Sequence, residues 1–253
     1  MKRRYAYGRR SPQHTVRSFR SMLLLGQALE PLGAAPAASN DYVAAVEVPW
    51  HMFGNDTIGD CVAADTAHTL MLRTANTGQI VVPAESDVVA LYSAVGGYVV
   101  GDPTTDQGCD ESAMCQYLVT HGFLGHKADV VGNIDPSSLD HVRWCVQLFG
   151  SCRIGLNLPL YAEDQFDNGK PWDVSSDGDQ STAGHDVPIV GYRGGMFDVV
   201  TWGRLQPMTE AFFLKFCEEA HAELYFDWIA AQGTAPVGFD LETLAGRLRE
   251  IAS

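Results

Sequence analysis

Through the first 150 residues the apolar positions recur at helical spacing. Val62–Thr74 places Ala63, Ala64, Ala67, Leu70 and Met71 on one face, which predicts an amphipathic helix ended by Gly78. Glu85–Val95 and Glu111–Thr120 read as further helices, the second closed by Gly122, and Ser137–Phe149 as another, opened by Pro136 and closed by Gly150. The texture then changes. Arg153–Leu158, Asp186–Tyr192 and Phe197–Trp202 are short apolar runs bounded by Gly, Asp and Pro, which predicts strands, with Gly194-Gly195 as a turn between two of them. Thr209 is placed to cap a helix from Glu210 to about Glu219, and Leu241–Ile251 predicts a closing amphipathic helix. Helices first and strands later give an α+β class, a helical part packed against an antiparallel sheet, with Trp144, Phe149, Phe212 and Phe213 in its core.

Residues 1–40 read as a basic arm and linker, with a short helix at Ser21–Leu29 and a Pro-containing linker at Pro31–Asn40. The body spans 41–253: a helical lobe at about 41–150, a sheet lobe at about 151–235 and the closing helix at about 240–252. The net charge of −14 conceals an asymmetry, because residues 1–20 hold seven basic residues and no acidic one. That leaves ten basic against 31 acidic residues downstream, a field that repels phosphate and argues against nucleic-acid binding by the body. The arm is expected either to meet a protein partner or to tether onto the chain's own acidic surface. No stretch approaches the roughly 20 apolar residues of a membrane span. Gln27, Glu30 and Pro31 interrupt the apolar run that a secretion signal needs, so a cytoplasmic protein is expected.

The six cysteines form no C-x-x-C pair and no zinc-like spacing. Free thiols in a reducing compartment are expected, with Cys109–Cys115 and Cys145–Cys152 as the alternative disulfides. His68 and His141 fall inside helical patterns and read as helix-surface residues. Asp173-x-Ser175-x-Asp177-Gly178 matches the first half of a calcium loop, but Gly184 stands at its twelfth position, so it reads as a surface loop. No cofactor and no metal is expected.

The chemistry concentrates in two segments. Gly54-Asn55-Asp56-Thr57-Ile58-Gly59-Asp60-Cys61 is a polar loop feeding directly into a helix, which puts Cys61 where unpaired N–H groups and the helix dipole favour a thiolate. Asn55, six residues upstream, could donate into an oxyanion hole together with the Cys61 N–H. The second segment, Gly184-His185-Asp186-Val187-Pro188-Ile189-Val190-Gly191-Tyr192, puts His185 at the mouth of an apolar strand, and the returning hairpin ends in Thr201-Trp202-Gly203.

These segments resemble the papain-like cysteine peptidases, in which a Cys-bearing helix of one lobe faces a His on the sheet of the other. His185–Tyr192 matches the family's H-x-V-x-x-V-G-Y strand, and Cys61 and Trp202-Gly203 match its other landmarks. The N-D-x-x-G-D-C texture is similar to a bacterial and phage group related to these enzymes. The resemblance implies a papain-like fold and a hydrolase of peptide or amide bonds, with Cys61 as nucleophile, His185 as base, Asn55 at the oxyanion hole and a peptide or protein substrate. Three positions depart from the pattern. Asn55 replaces a Gln, Asp60 precedes the nucleophile, and the orienting Asn is replaced by Thr201, counting 16 residues from His185, or by Val200, counting back from Trp-Gly. A catalytically silent papain-like module, for example in a phage particle, and a transglutaminase-like acyl transferase are the alternatives.

Overall fold

A computed structural model describes residues 5–12, 35–178 and 180–232. The helices expected at Ser21–Leu29 and Leu241–Ile251 lie outside the described residues. In chain order the elements are β1 (Ser39–Asp41), α1 (Cys61–Thr77), α2 (Glu85–Gly96), α3 (Glu111–Thr120), β2 (Ala128–Ile134), α4 (Leu139–Phe149), β3 (Cys152–Pro159), α5 (Tyr161–Asp167), β4 (Ser181–Arg193), β5 (Met196–Thr201), β6 (Arg204–Thr209), α6 (Glu210–Phe216), β7 (Cys217–Tyr225) and α7 (Phe226–Gln232). Seven strands form one antiparallel sheet in the order β2-β7-β3-β4-β5-β6, with β1 paired to the end of β4. The class is α+β, as the order of patterns predicts.

α1 is buried along Cys61–Thr74. It tolerates its threonines because they bond back along the helix, Thr66 Oγ1 to the Val62 carbonyl at 3.2 Å and Thr74 Oγ1 to the Leu70 carbonyl at 2.7 Å. The helix lies against β4, where Val190 meets Leu72 of α1 and Val200 of β5. Val187 and Ile189 of the same strand join the core built with α4, α5 and α6, so β4 is covered on both faces. A second core holds α1, α2 and α3 together with Tyr225 and Trp228.

The structure corrects four expectations. The helix begun at Glu210 stops at Phe216, and Cys217–Tyr225 is a strand paired with both β2 and β3. The half read as helical contributes a strand, β2, to the far edge of the sheet. β1 lies across the boundary drawn at residue 41, while Tyr5–Pro12 packs on the body, as the tethering alternative expects. His68 is no surface residue. It is buried, its Nε2 is 2.8 Å from the His51 carbonyl oxygen, and burial pushes its pKa down to about 4. All six cysteines are free.

Candidate active site

Cys61 is the first residue of α1, delivered by a loop that backbone contacts hold in place. The Ala63 and Ala64 N–H groups donate to the Asp60 carbonyl at 2.8 and 2.9 Å, and the Gly59 N–H donates to both Asp106 carboxylate oxygens at 3.0 and 3.1 Å. The Tyr92 hydroxyl donates to Asp106 Oδ1 at 2.7 Å and accepts from the Gly108 N–H at 2.8 Å. Asp106 and Tyr92 thus tie the cysteine loop to the Gly108-Cys109 turn.

His185 comes from β4. Its Nε2 lies 2.8 Å from Thr201 Oγ1, and the Trp202 ring stacks on it at 4.8 Å between centroids and 21° between planes. Trp202 holds this cover from the left-handed region, at φ 44°. Of the two residues at the orienting position, the structure brings Thr201 to His185 and gives Val200 to the core with Leu72. With the proton on Nε2 and donated to Thr201, Nδ1 presents a lone pair, and among the described residues it has no hydrogen-bond partner. Cys61, His185, Asn55, Thr201 and Trp202 line one small cavity. Asn55 is buried there, and its Nδ2 donates to the Ile58 carbonyl of its own loop at 3.4 Å.

The electrostatics of this closed site oppose an ion pair. A helix start favours a thiolate by only about 0.3–1 kcal/mol. Against it, Cys61 and His185 are each 1% exposed. Burial pushes the Cys61 thiol up, the Asp186 charge pushes the same way, and the N–H groups of Asp186 and Gly8, donating toward the sulfur, only partly offset this. Burial, helped by the Arg9 guanidinium, pushes His185 down to about 3. At neutral pH the pair is therefore a thiol beside a neutral imidazole. Burial also holds the Asp60 carboxyl well above the usual carboxylate range, which favours its acid form.

What closes the site is the chain's own N-terminal segment. The Ala6 N–H donates to the Asn55 carbonyl at 3.3 Å and the Arg9 N–H to the Gly184 carbonyl at 3.2 Å, while the Cys109 N–H donates to the Gly8 carbonyl at 2.6 Å and the Arg10 N–H to the Cys109 carbonyl at 2.9 Å. Arg9 pairs antiparallel with Gly184 on one wall and parallel with Cys109 on the other. Tyr5 stacks on Trp202 at 4.2 Å, and Tyr7 meets His185 edge-on while its hydroxyl donates to Glu163 at 2.5 Å. The backbone N–H of Gly8 is directed at the Cys61 sulfur. Two of the arm's basic residues thus bind the body itself, Arg9 through Glu111, Glu218 and Glu219, and Arg10 through the carbonyls of Gly96 and Gln107.

Beneath the pair lies a buried ionic cluster that sequence reasoning missed. Arg153 on β3 bonds Asp186, Glu223, Thr66 and the Val62 carbonyl and lies 3.1 Å from Asp65. It anchors the first turns of α1 to the strand that follows His185. Only an arginine inside an apolar strand hinted at it. Glu111, Glu219 and His221 offer ligand atoms within 4.8 Å of one another, a spacing suited to a cation, and the Arg9 guanidinium fills that space. The Asp173–Gly178 stretch is an exposed loop in which Asp173 Oδ1 accepts from Thr209 Oγ1 at 2.8 Å.

No family model and no curated protein sequence matches the chain. Solved structures do. Xylellain, a cysteine protease from Xylella fastidiosa, is similar at a TM-score of 0.66 and 15% identity, over 88% of this chain and 98% of its own. ProCathepsin B S9 from Trypanosoma congolense is similar at 0.58 and 12%, over 87% and 86% of the two chains. The Carica candamarcensis cysteine protease CMS1MS2 is similar at 0.53 and 13%, over 74% and 98%. The helix that begins at Cys61, the antiparallel sheet that carries His185 and these likenesses together establish a papain-like fold for the chain.

Proposed function

We propose that the chain is a papain-like cysteine hydrolase of peptide or amide bonds, held in a latent form by residues 5–12 in its cleft. The observation that carries this reading is the shared cavity of Cys61 and His185, with Nε2 engaged by Thr201 and Nδ1 left open. Once the segment lifts, water and substrate reach both groups and the burial that holds them neutral is relieved. Nδ1 then takes the thiol proton and Cys61 attacks the carbonyl carbon. The Cys61 N–H and the Asn55 amide receive the oxyanion, and the imidazolium protonates the leaving amine. Water, deprotonated by His185, then releases the acyl group.

The test is hydrolysis of a mixed peptide library by the full chain carrying Gly8→Ala, with and without Cys61→Ala. Cleavage lost by at least about 10³-fold in the double variant supports the reading. Cleavage that persists without Cys61 sinks it. No cleavage at all favours the second reading, a silent papain-like module such as a phage-particle component. That reading draws support from the hydroxyl of Thr201 where the family's pattern has a carboxamide, and from the acid side chain of Asp60 beside the sulfur. Products formed only with an added amine would point to acyl transfer.

A further inference from the structure

We propose that the pocket floored by Glu111, Glu218 and Glu219 is a guanidinium subsite that selects peptides bearing arginine, with Arg9 as its built-in occupant. The proposal deepens the hydrolase reading and rests on it for turnover, though not for binding. The Arg9 side chain is 1% exposed and Glu111 is fully enclosed. Arg9 Nε lies 2.9 Å from both Glu111 Oε1 and Glu219 Oε1, and Nη1 and Nη2 each lie 2.9 Å from Glu218 Oε2. The planar fork of an arginine matches three carboxylates better than the point charge of a lysine, and an apolar side chain would leave Glu111 buried and unpaired. His221 Nε2, 3.3 Å from Glu219 Oε2 and 3.5 Å from Glu111 Oε2, holds the far oxygens of the same carboxylates.

Glycines set the width of the pocket. A Cβ at Gly155 would stand 2.2 Å from Arg9 Nε and 2.2 Å from Glu111 Oε1, and one at Gly184 would stand 2.5 Å from the Arg9 carbonyl oxygen. The contacts on either side are of another kind. Gly184 and Cys109 bind the segment through its backbone alone, a ladder that any extended peptide can form. The side-chain pocket, one residue along from the Gly8 that faces Cys61, is therefore where a sequence preference arises.

The test titrates the octapeptide Tyr-Ala-Tyr-Gly-Arg-Arg-Ser-Pro, and its counterpart with alanine at the fifth position, into the full chain carrying Arg9→Ala. Binding is followed calorimetrically and by protection of Cys61 from iodoacetamide. The arginine peptide is expected to bind at least about tenfold tighter, the order of one charge-assisted contact, and Glu219→Gln added to the same chain should remove most of the difference. Equal binding, or binding by neither peptide, overturns the proposal. If Arg9→Ala fails to fold, the same titration runs on Gly8→Ala, which leaves every carboxylate in place. A turnover arm compares internally quenched forms of the same octapeptide with arginine and with leucine at the fifth position, so that glycine precedes the tested residue as Gly8 precedes Arg9. Discrimination in binding without cleavage of either keeps the subsite and sinks the catalytic reading. Cleavage of both at equal rates sinks the subsite alone.

Discussion

Gly8→Ala should unlock Cys61. A Cβ at Gly8 would lie 1.6 Å from the Gly59 carbonyl oxygen, 2.2 Å from its carbon and 2.6 Å from its Cα. All three are backbone atoms, and Gly59 is itself pinned by Asp106, so no rotamer change relieves the overlap. The segment must leave. In the parent, alkylation requires the same departure, which strips Arg9 from an enclosed Glu111. Breaking a buried ion pair costs about 3–5 kcal/mol, and the lower end applies because burial already favours the acid form of Glu111. About 3 kcal/mol corresponds to roughly 10²-fold in the open population. The assay is iodoacetamide labelling at pH 8, read by peptide mapping so that Cys61 is separated from the other five thiols. Gly8→Ala should label Cys61 about 100-fold faster than the parent, while Cys115, Cys145 and Cys152 stay protected. Rates within about threefold of each other would refute the argument that this segment closes the site.

Three further outcomes follow from the same geometry. In the uncovered Gly8→Ala chain, Thr201→Ala should lower kcat about 10- to 100-fold and Thr201→Ser should restore most of it, because the hydroxyl positions His185; an unchanged kcat would remove that role. Arg153→Met leaves Asp65, Asp186 and Glu223 enclosed without their cation and should lower stability to urea by about 3–5 kcal/mol, whereas an unchanged midpoint would show that the cluster is dispensable. His68, held down to about 4, takes up its proton in the unfolded chain near 6.5 but in the native chain only near 4. Its contribution is full above 6.5 and is lost as pH falls to 4, with a slope of up to about 1.4 kcal/mol per pH unit. Asp186, raised to about 6 by burial, works in the opposite sense, since its contribution is lost as pH rises through 6. His68→Gln should therefore flatten the acid limb of stability between pH 6.5 and 4, and an unchanged slope would contradict the buried, neutral imidazole.

How legible the molecule was in its sequence depended on the range of the interaction. α1, β4 and β5 could be read locally, since apolar periodicity and glycine punctuation decide them, and counting 16 residues from His185 pointed to Thr201. β7 could not, because Lys215-Phe216-Cys217-Glu218-Glu219-Ala220 is built of helix formers, and only its neighbours β2 and β3 turn it into a strand. β2 hid behind Asp129, Gly132 and Asn133 in an otherwise apolar run. The seat of Arg9 was invisible for a different reason. Its partners Glu111, Glu218 and Glu219 stand more than a hundred residues away, and nothing local distinguishes Arg9 from the six other basic residues of the arm. Arg153 likewise stood only as a member of the run Arg153–Leu158, whereas it is the cation at the centre of the buried cluster.

The central claim is that Cys61 and His185 form a working pair once uncovered, and the pH profile of Cys61 alkylation tests it most directly. The profile is measured on the full chain carrying Gly8→Ala, with and without His185→Ala. A free thiol of pKa about 8.5 is only ~0.03% thiolate at pH 5, while a His-paired thiol near 4 is almost wholly ionised there. The paired thiolate is intrinsically about 100-fold less nucleophilic, so the net advantage is about 30-fold at pH 5 and only about threefold at pH 6. The account predicts reactivity that persists at pH 5 and an acid limb that moves to about 8.5 when His185 is removed. A profile that follows a free thiol in both chains would contradict it.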